Sequence, residues 1–401
     1  MIAPMSNLSE TPSAERVRIV FFGRRNVGKS SLLNAVAGQP VSIVSDVPGT
    51  TADPVRKAME LLPLGPVLLV DTAGLDDDEA TIGDLRVRRA REELRSADLG
   101  VIVTDPDTGL GPLEKSLLQE FRDAGIAFVV AVNKIDAAPT AETSVEALRQ
   151  TAAAPVYAVS ARTGEGVEDF RRALAETKID EPASQTLVGH LLEPGDTVVL
   201  VVPIDGAAPK GRIILPQQMV LRDVLDAHAT AFVTQVPQLA QVLSSLGTKP
   251  RMVITDSQVF SDVRALVPAD VELTSFSILM ARYKGDFGIL RAGADAVDRL
   301  RDGDRILVSE GCTHRRQCGD IGSVKIPALL RKRTGKELSF EFTSGRDWPS
   351  RDELTRYRLI IHCGACMLPR REMRSRITDA QAAGVPIVNY GLLLARLHGI
   401  F

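Results

Sequence analysis

The strongest constraint on this fold is a glycine-rich segment, GRRNVGKS at residues 23–30, directly after the apolar run Val17–Phe22. A glycine, four residues and then Gly-Lys-Ser is the spacing of a phosphate-binding loop. In such loops the glycines turn backbone N–H groups onto phosphate oxygens, the lysine approaches the β- and γ-phosphates, and the serine hydroxyl binds Mg²⁺. A helix N-terminus, which favours anions, should follow. The residues assigned to this loop are Gly23, Asn26, Val27, Gly28, Lys29, Ser30 and Ser31.

A second motif, Asp-Thr-Ala-Gly at residues 71–74, follows the predicted strand Val67–Val70. A carboxylate at Asp71 can hold Mg²⁺ through a water molecule, and the N–H of Gly74 can bind a γ-phosphate. The two motifs together predict a site for a nucleoside triphosphate and Mg²⁺.

Two further motifs select the base. Asn-Lys-Ile-Asp at residues 133–136 follows the predicted strand Phe128–Val132, and Ser-Ala follows Val159. A carboxylate at Asp136 can accept both N–H donors of guanine, which adenine does not present, so the predicted nucleotide is GTP. The residues assigned to the guanine side are Asn133, Lys134, Asp136, Ser160 and Ala161.

These motifs, in this order and spacing, resemble those of the translation-factor-like GTPase superfamily. Asn-Val-Gly-Lys-Ser-Ser at 26–31 and Pro-Gly-Thr-Thr-Ala-Asp at 48–53 are similar to the tRNA-modification GTPase group. That resemblance implies that Asn26 binds K⁺ and that Thr51 joins Ser30 and Asp71 around Mg²⁺. The catalytic set that we predict is Asn26, Lys29, Thr51 and Gly74.

The residue after Gly74 bears on the rate of hydrolysis. It is Leu75, where Ras-like enzymes have a glutamine that orients water. Slow hydrolysis is therefore expected, with K⁺ replacing the missing positive charge, as the resemblance implies. The acidic residues 76–79 either supply a catalytic carboxylate or form a solvated loop, and none of them is assigned.

The 401 residues are enough for two to four domains. From Val17 to about Ala175, short apolar runs alternate with helical stretches, which predicts a Ras-like, doubly wound α/β domain at residues 1–180. A polar linker spans 178–185. Strands and helices alternate again beyond it, including a predicted helix over Gln217–Ala231. A small α/β domain is expected at 186–265 and a Rossmann-like domain at 266–401, although no linker composition marks their boundary.

All four cysteines lie between residues 312 and 366. Cys-Thr-His at 312–314 and His-Cys-Gly-Ala-Cys at 362–366 each follow a predicted strand, and parallel strands would bring both to one sheet edge. A structural zinc site and an iron–sulfur cluster both suit these donors. An iron–sulfur cluster fits the pattern better than a thioredoxin-like motif, a disulfide or buried thiols. Three thiolates would leave one iron of such a cluster open to another ligand. Cys318 is not assigned.

The GTPase loop, Gly-Asp-Thr at 195–197, Lys-Gly-Arg at 210–212 and the Cys-His pattern together resemble the HydF family, GTPases that mature iron–iron hydrogenase. The resemblance implies a dimerisation domain, a cluster domain and a scaffold role. In that role the protein would act as a homodimer. It would accept a two-iron precursor, made with two radical SAM maturases, and deliver it to apo-hydrogenase. It further implies a 4Fe-4S cluster on Cys312, Cys363 and Cys366. The fourth position is left open among His314, His362, Glu310, Cys318 and water.

Composition excludes some classes. No apolar run approaches the ~20 residues that span a bilayer, and the chain starts without an apolar signal core, so a cytoplasmic protein is expected. The net charge is −3, but residues 311–376 hold 15 Lys and Arg against 7 Asp and Glu. This local excess is either a solvated basic face or a positive surround for an anionic cluster or partner.

The competing prediction is an RNA-modification or ribosome-assembly GTPase with a structural zinc site. Only Trp348 and Tyr357 are large polar aromatics among the basic residues, which gives little support to nucleic-acid binding.

Overall fold

The computed structural model describes residues 11–38, 55–74, 90–139, 141–179, 186–204, 213–311 and 320–399. It divides into an N-terminal unit, Met1–Pro182, and a C-terminal unit, Ala183–Phe401. Strands and helices alternate in both units, which confirms the predicted α/β class.

The N-terminal unit contains a six-stranded sheet of order β2-β3-β1-β4-β5-β6. Its strands are β1 (Val17–Phe22), β2 (Val55–Leu61), β3 (Gly65–Asp71), β4 (Leu99–Thr104), β5 (Ala127–Val132) and β6 (Val156–Ala158). The helices are α1 (Lys29–Ala37), α2 (Pro112–Asp123), α3 (Ala141–Thr151) and α4 (Val167–Glu176), and residues 90–96 are also helical.

Two hydrophobic cores enclose this sheet, and β1 contributes to both. Ile19 and Phe21 face one core while Val20 and Phe22 face the other, and all four side chains are fully buried. Successive side chains in a strand point to opposite faces, so a run that is apolar throughout must be covered on both sides. Each such burial stabilises the fold by about 1.5–3 kcal/mol.

The edge strand β2 was not predicted. It pairs antiparallel with β3, from Val55 opposite Asp71 to Leu61 opposite Gly65. Three charged residues interrupt its apolar pattern: Arg56, Lys57 and Glu60. An edge strand accommodates such residues because one of its sides meets no neighbouring strand. The rest of the sheet is parallel, as predicted.

The first sheet of the C-terminal unit has the order β10-β9-β7-β8 and is parallel throughout. Its strands are β7 (Thr197–Val201), β8 (Thr230–Thr234), β9 (Met252–Thr255) and β10 (Glu272–Ser275). Its helices are α5 (Leu215–Asp226), α6 (Leu239–Ser245), α7 (Phe260–Leu266) and α8 (Phe276–Lys284).

Two boundaries predicted from the sequence differ from those seen in this part of the structure. The helix predicted over Gln217–Ala231 was too long: α5 ends at Asp226, His228 has a left-handed φ of 57°, and the chain turns into β8. The predicted domain boundary near residue 265 falls inside the sheet, because β10 pairs with β9. We propose a boundary near Gly285 instead, where α8 ends.

The second sheet of the C-terminal unit, also parallel, has the order β12-β11-β13-β14. Its strands are β11 (Arg305–Glu310), β12 (Ser339–Ser344), β13 (Leu359–His362) and β14 (Ile387–Asn389). Its helices are α9 (Phe287–Ala294), α10 (Ile326–Thr334), α11 (Arg351–Leu354), α12 (Arg370–Ala382) and α13 (Tyr390–Leu397). Its strands end at one edge, where His362 and Cys363 lie.

None of the helices in the described ranges combines the length and apolar character that crossing a bilayer requires.

Candidate nucleotide and cysteine sites

The phosphate-binding loop connects β1 to α1 through two glycines that no other residue could replace without strain. Gly23 has φ 147°, and a Cβ there would lie 2.2 Å from the Val103 carbonyl oxygen. Gly28 has φ 90°, and a Cβ would lie 2.3 Å from Nδ2 of Asn133. Residues that carry a side chain rarely adopt such φ values, so the loop requires glycine on both backbone and steric grounds.

Lys29 folds back over this loop. Its Nζ donates to the carbonyl oxygens of Gly23 at 3.0 Å and Arg24 at 2.7 Å, and the residue is only 7% exposed. The ammonium group is thereby held at the loop, where a phosphate would be bound.

Ser30 and Asp71 approach each other at the start of α1. The Ser30 hydroxyl donates to Oδ2 of Asp71 at 2.5 Å, whereas the buried Oδ1 of Asp71 has no hydrogen-bond partner among the described residues. Burial raises the pKa of Asp71, while Ser30 and Lys29 act in the opposite direction. A hydroxyl beside a carboxylate with an unused oxygen fits a hydrated Mg²⁺ ion, whose ligands are oxygens.

Asn133 joins the two ends of the nucleotide site. Its Nδ2 donates to the Val27 carbonyl oxygen at 3.0 Å, and its Oδ1 accepts the N–H of Ala161 at 3.0 Å. The side chain is 2% exposed, so these bonds are shielded from water. One amide therefore fixes the phosphate-binding loop against the loop after β6.

Asp136 lies beside Ser160 and Arg162. The Ser160 hydroxyl donates to Oδ1 of Asp136 at 2.6 Å, and Arg162 forms an ion pair with Oδ2. Both contacts hold the pKa of Asp136 below its usual range, with Ser160 the larger cause. The carboxylate is thus ionised and acceptor-only at neutral pH, as recognition of guanine N–H donors requires.

The remaining predicted residues vary in exposure. Val27 is buried, whereas Asn26, with a left-handed φ of 63°, and Ser31 are exposed. Gly74 passes so close to Arg25 that a Cβ would lie 2.9 Å from its backbone nitrogen. Lys134, with φ 64°, pairs with Asp105 at 3.6 Å. Thr51, Leu75 and the acidic residues 76–79 lie outside the described residues.

Sequence reasoning missed two ion-pair groups of the N-terminal unit, one of them at the phosphate-binding loop. Arg24 of the phosphate-binding loop pairs with the buried Glu114 of α2 at 3.0 Å. Glu93 accepts from Arg18 of β1 at 3.0 Å and from Arg56 of β2 at 3.1 Å. Charged residues inside an apolar pattern were the signal that could have found them, because a buried charge needs a partner.

The second site is built on a turn, Cys363–Cys366, which we call the cysteine turn. It follows β13 directly, and neither cysteine is in a disulfide. Sγ of Cys363 accepts the N–H of Gly311 at 3.0 Å and that of Ala365 at 3.4 Å. Burial raises the pKa of the Cys366 thiol to about 12, and Cys363 acts in the same direction.

His362 is fully buried and uses both ring nitrogens. Nδ1 lies 3.0 Å from the Cys363 carbonyl oxygen, to which it must donate, so Nε2 accepts from Nη1 of Arg376 at 3.1 Å. Burial lowers the pKa of His362 to about 3, which keeps the ring neutral. The predicted role of His362 as a metal ligand does not fit this geometry, because both nitrogens already hold the turn in place.

Arg376 extends from α12 beneath this edge. Besides His362, it donates to the Ser309 hydroxyl at 3.3 Å, the Gly345 carbonyl oxygen at 2.8 Å and the Glu372 carboxylate at 2.9 Å. Ser309, Gly345 and His362 lie at or next to the carboxyl ends of three strands, so one buried guanidinium links β11, β12 and β13.

Of the other candidate cluster ligands, Glu310 alone lies among the described residues. Cys312, His314 and Cys318 lie outside the described residues, and within the described ranges no group of three or more His, Cys, Asp or Glu side chains is placed to hold a metal. Glu310 accepts the hydroxyl of Tyr390 at 3.0 Å.

Curated relatives match part of the chain. The tRNA modification GTPase MnmE of Symbiobacterium thermophilum is 40% identical over 175 residues, 43% of this chain and 37% of the relative. The MnmE of Nitrosococcus oceani is 41% identical over 162 residues, 40% of this chain and 34% of the relative. The chain thus spans about a third of the length of these curated relatives. Among solved structures, the G domain of the T. maritima FeoB iron transporter is 26% identical with a TM-score of 0.31, covering 40% of this chain and 98% of that domain.

Family models match nearly the whole described chain. The 50S ribosome-binding GTPase model matches residues 18–134, and the GTP-binding domain of elongation factor Tu matches 85–204. The hydrogen maturase F dimerization domain matches residues 187–285, and its tetramerization domain matches 289–401. The chain thus resembles hydrogen maturase F, as predicted: its GTPase domain is followed by the dimerization and tetramerization domains of that family.

Proposed function

We propose that this protein is a GTPase and scaffold in the maturation of iron–iron hydrogenase. It holds a 4Fe-4S cluster on Cys312, Cys363 and Cys366, accepts a two-iron precursor made with two radical SAM maturases, and transfers it to apo-hydrogenase. The two hydrogen maturase F domains support the maturation role and an oligomeric, at least dimeric, protein.

The observation that carries the cluster proposal is the contact between Gly311 and Cys363. The Gly311 N–H lies 3.0 Å from Sγ of Cys363, and Cys312 is the next residue in the sequence. The strand pair β11 and β13 therefore brings the chain on either side of the site together without a disulfide. Backbone N–H groups directed at a sulfur also stabilise a thiolate ligand, and they tune the potential of an iron–sulfur cluster.

The donor set suits iron–sulfur chemistry. Three thiolates would hold three irons of a cubane, and the fourth iron would remain open to an exchangeable ligand. Because both nitrogens of His362 are engaged, we infer that the open position belongs to His314, Glu310, Cys318 or water.

In the nucleotide site, Gly23, Gly28 and Lys29 bind the phosphates and Asp136 selects guanine. Ser30, Asp71 and Thr51 would hold Mg²⁺, which when bound would neutralise charge on the phosphates. Segments that contact the γ-phosphate are ordered by GTP and released on hydrolysis in other GTPases, and we propose that the same change biases the binding and release of partner proteins here.

The cluster proposal is tested by metal analysis after anaerobic purification and reconstitution. The wild-type chain should contain iron and sulfide, and Cys363→Ala should lose most of the iron while GTP turnover stays within about twofold, because the two sites belong to separate units. Cys318→Ala is the matched control and should retain iron, because the three proposed thiolates remain and water can take the fourth position. Zinc without iron in the wild-type chain would contradict the proposal and favour the RNA-modification alternative.

We also propose that K⁺ stimulates hydrolysis through Asn26. Replacing K⁺ by Na⁺ at equal ionic strength should slow GTP turnover several-fold, because the smaller ion does not fill the same oxygen cage. Asn26→Ala should hydrolyse GTP at one slow rate in both salts. Equal wild-type rates in K⁺ and Na⁺, measured by phosphate release, would remove Asn26 from this role.

A further inference from the structure

The cysteine turn lies between two hydrophobic cores of the C-terminal unit. Cys363 packs against the core of the β11–β14 sheet, whereas Cys366 packs against the core built from β7, β9 and α8. The turn is therefore in contact with both the segment that matches the dimerization domain and the segment that matches the tetramerization domain.

The first of these segments directs a lysine at the turn. Lys284, the last residue of α8, is 1% exposed, and its Nζ donates to the carbonyl oxygen of Leu368 at 3.0 Å. The Leu368 N–H in turn bonds the carbonyl oxygen of Ala365 at 3.1 Å, within the cysteine turn. Lys284 also lines a small cavity of about 10 Å³ together with Cys363, Gly364 and Ala365.

The second segment contributes Arg376, whose side chain is 2% exposed. It reaches the turn through His362, which bonds the carbonyl oxygen of Cys363. Glu372 is the carboxylate beside it, and Arg346 contacts the same carboxylate at 3.6 Å. Lys284 and Arg376 therefore approach the turn from the two segments.

Lys284 and Arg376 thus place two buried cationic side chains beside one turn, where charges act on one another more strongly than they do in water. Thiolates on that turn would interact favourably with both side chains. Burial lowers the pKa of Arg376 and Cys363 acts in the opposite direction, whereas burial raises the pKa of Cys366 and Lys284 acts in the opposite direction. A cluster held by three thiolates becomes more negative when it is reduced, and nearby cations favour that state.

We propose that Lys284 and Arg376 are positioning residues that hold the cysteine turn and raise the reduction potential of the cluster bound there. The proposal rests on the proposed cluster function. It makes the dimerization segment, through Lys284, part of the cluster's electrostatic environment.

The test uses the full chain with a reconstituted cluster, titrated potentiometrically and followed by electron paramagnetic resonance. Lys284→Met should make reduction about tenfold less favourable, which corresponds to a midpoint about 59 mV more negative for a one-electron couple. Iron content should stay within twofold of wild type. Lys284→Arg should restore the wild-type midpoint, since it keeps the charge.

Further variants separate charge from structure. Lys284→Gln keeps a donor for Leu368 and should show the same negative shift, and Arg376→Met should shift the midpoint in the same direction. Lys249→Met, which removes an exposed lysine paired with Asp270, should leave it unchanged. An unchanged midpoint in both Lys284→Met and Lys284→Gln, or an equal shift in the Lys249 control, would overturn the proposal. Absence of iron from the wild-type chain would instead overturn the cluster function on which it rests.

Discussion

Replacing Asp136 by asparagine should change the nucleotide that the N-terminal unit binds from GTP to xanthosine triphosphate. Asp136 is ionised and accepts hydrogen bonds only, with Ser160 on one oxygen and Arg162 on the other. An asparagine amide places an N–H₂ donor where guanine also presents a donor, so two donors face each other. Xanthine carries a carbonyl oxygen at that position and accepts from the amide. We expect GTP affinity to fall on the order of 10⁴-fold.

Isothermal titration with GTP, xanthosine triphosphate and ATP checks this expectation. Asp169→Asn is the matched control, because Asp169 is an exposed aspartate of α4 that pairs with Arg172 and should not affect binding. GTP affinity that stays at the wild-type value in Asp136→Asn would show that another group reads the base.

Replacing Glu93 by glutamine should destabilise the N-terminal unit by about 3–5 kcal/mol. Glu93 is buried, and its two oxygens accept from Arg18 at 3.0 Å and from Arg56 at 3.1 Å. A neutral amide of the same size removes the negative charge that now lies between two guanidinium groups. Arg18 is in β1 and Arg56 is in the edge strand β2. Backbone amides should therefore lose their protection from hydrogen exchange first where these strands meet the helical residues 90–96.

Hydrogen exchange of peptides from β1 and β2 measures this loss, and calorimetry reports the unfolding of the unit. The matched control is Glu168→Gln, an exposed glutamate of α4 whose contact with Arg171 is 3.8 Å long and should contribute little. Exchange rates in Glu93→Gln that equal those of the control would show that the buried charges are offset in another way.

Much of the fold could be predicted because its signals are local. Strand β1 has its predicted bounds, Val17–Phe22. Five of its six residues are apolar, and such a short apolar run predicts a strand that is covered on both faces. The glycines at 23 and 28 were likewise predictable, because the φ angles and close approaches there admit only glycine.

The missed elements depend on partners that are distant in sequence. The edge strands β8 and β12 contain only exposed and half-buried residues, so they lack the continuous apolar signal of central strands. Arg376 appears in the sequence as one of many basic residues, and only the fold shows that it links three strand ends. His362 was predicted as a ligand for the same reason: its bonds to Arg376 and Cys363 could not be inferred from spacing.

The bonds of Asn133 have a consequence for the thermodynamics of nucleotide association. One buried amide links the Val27 carbonyl oxygen to the Ala161 N–H, so the loops for phosphate and for base are already held together in the protein alone. When a nucleotide bridges them, the protein therefore loses less conformational entropy than it would if the two loops were independent. For the same reason, the two ends of a bound nucleotide should be released together in a single step.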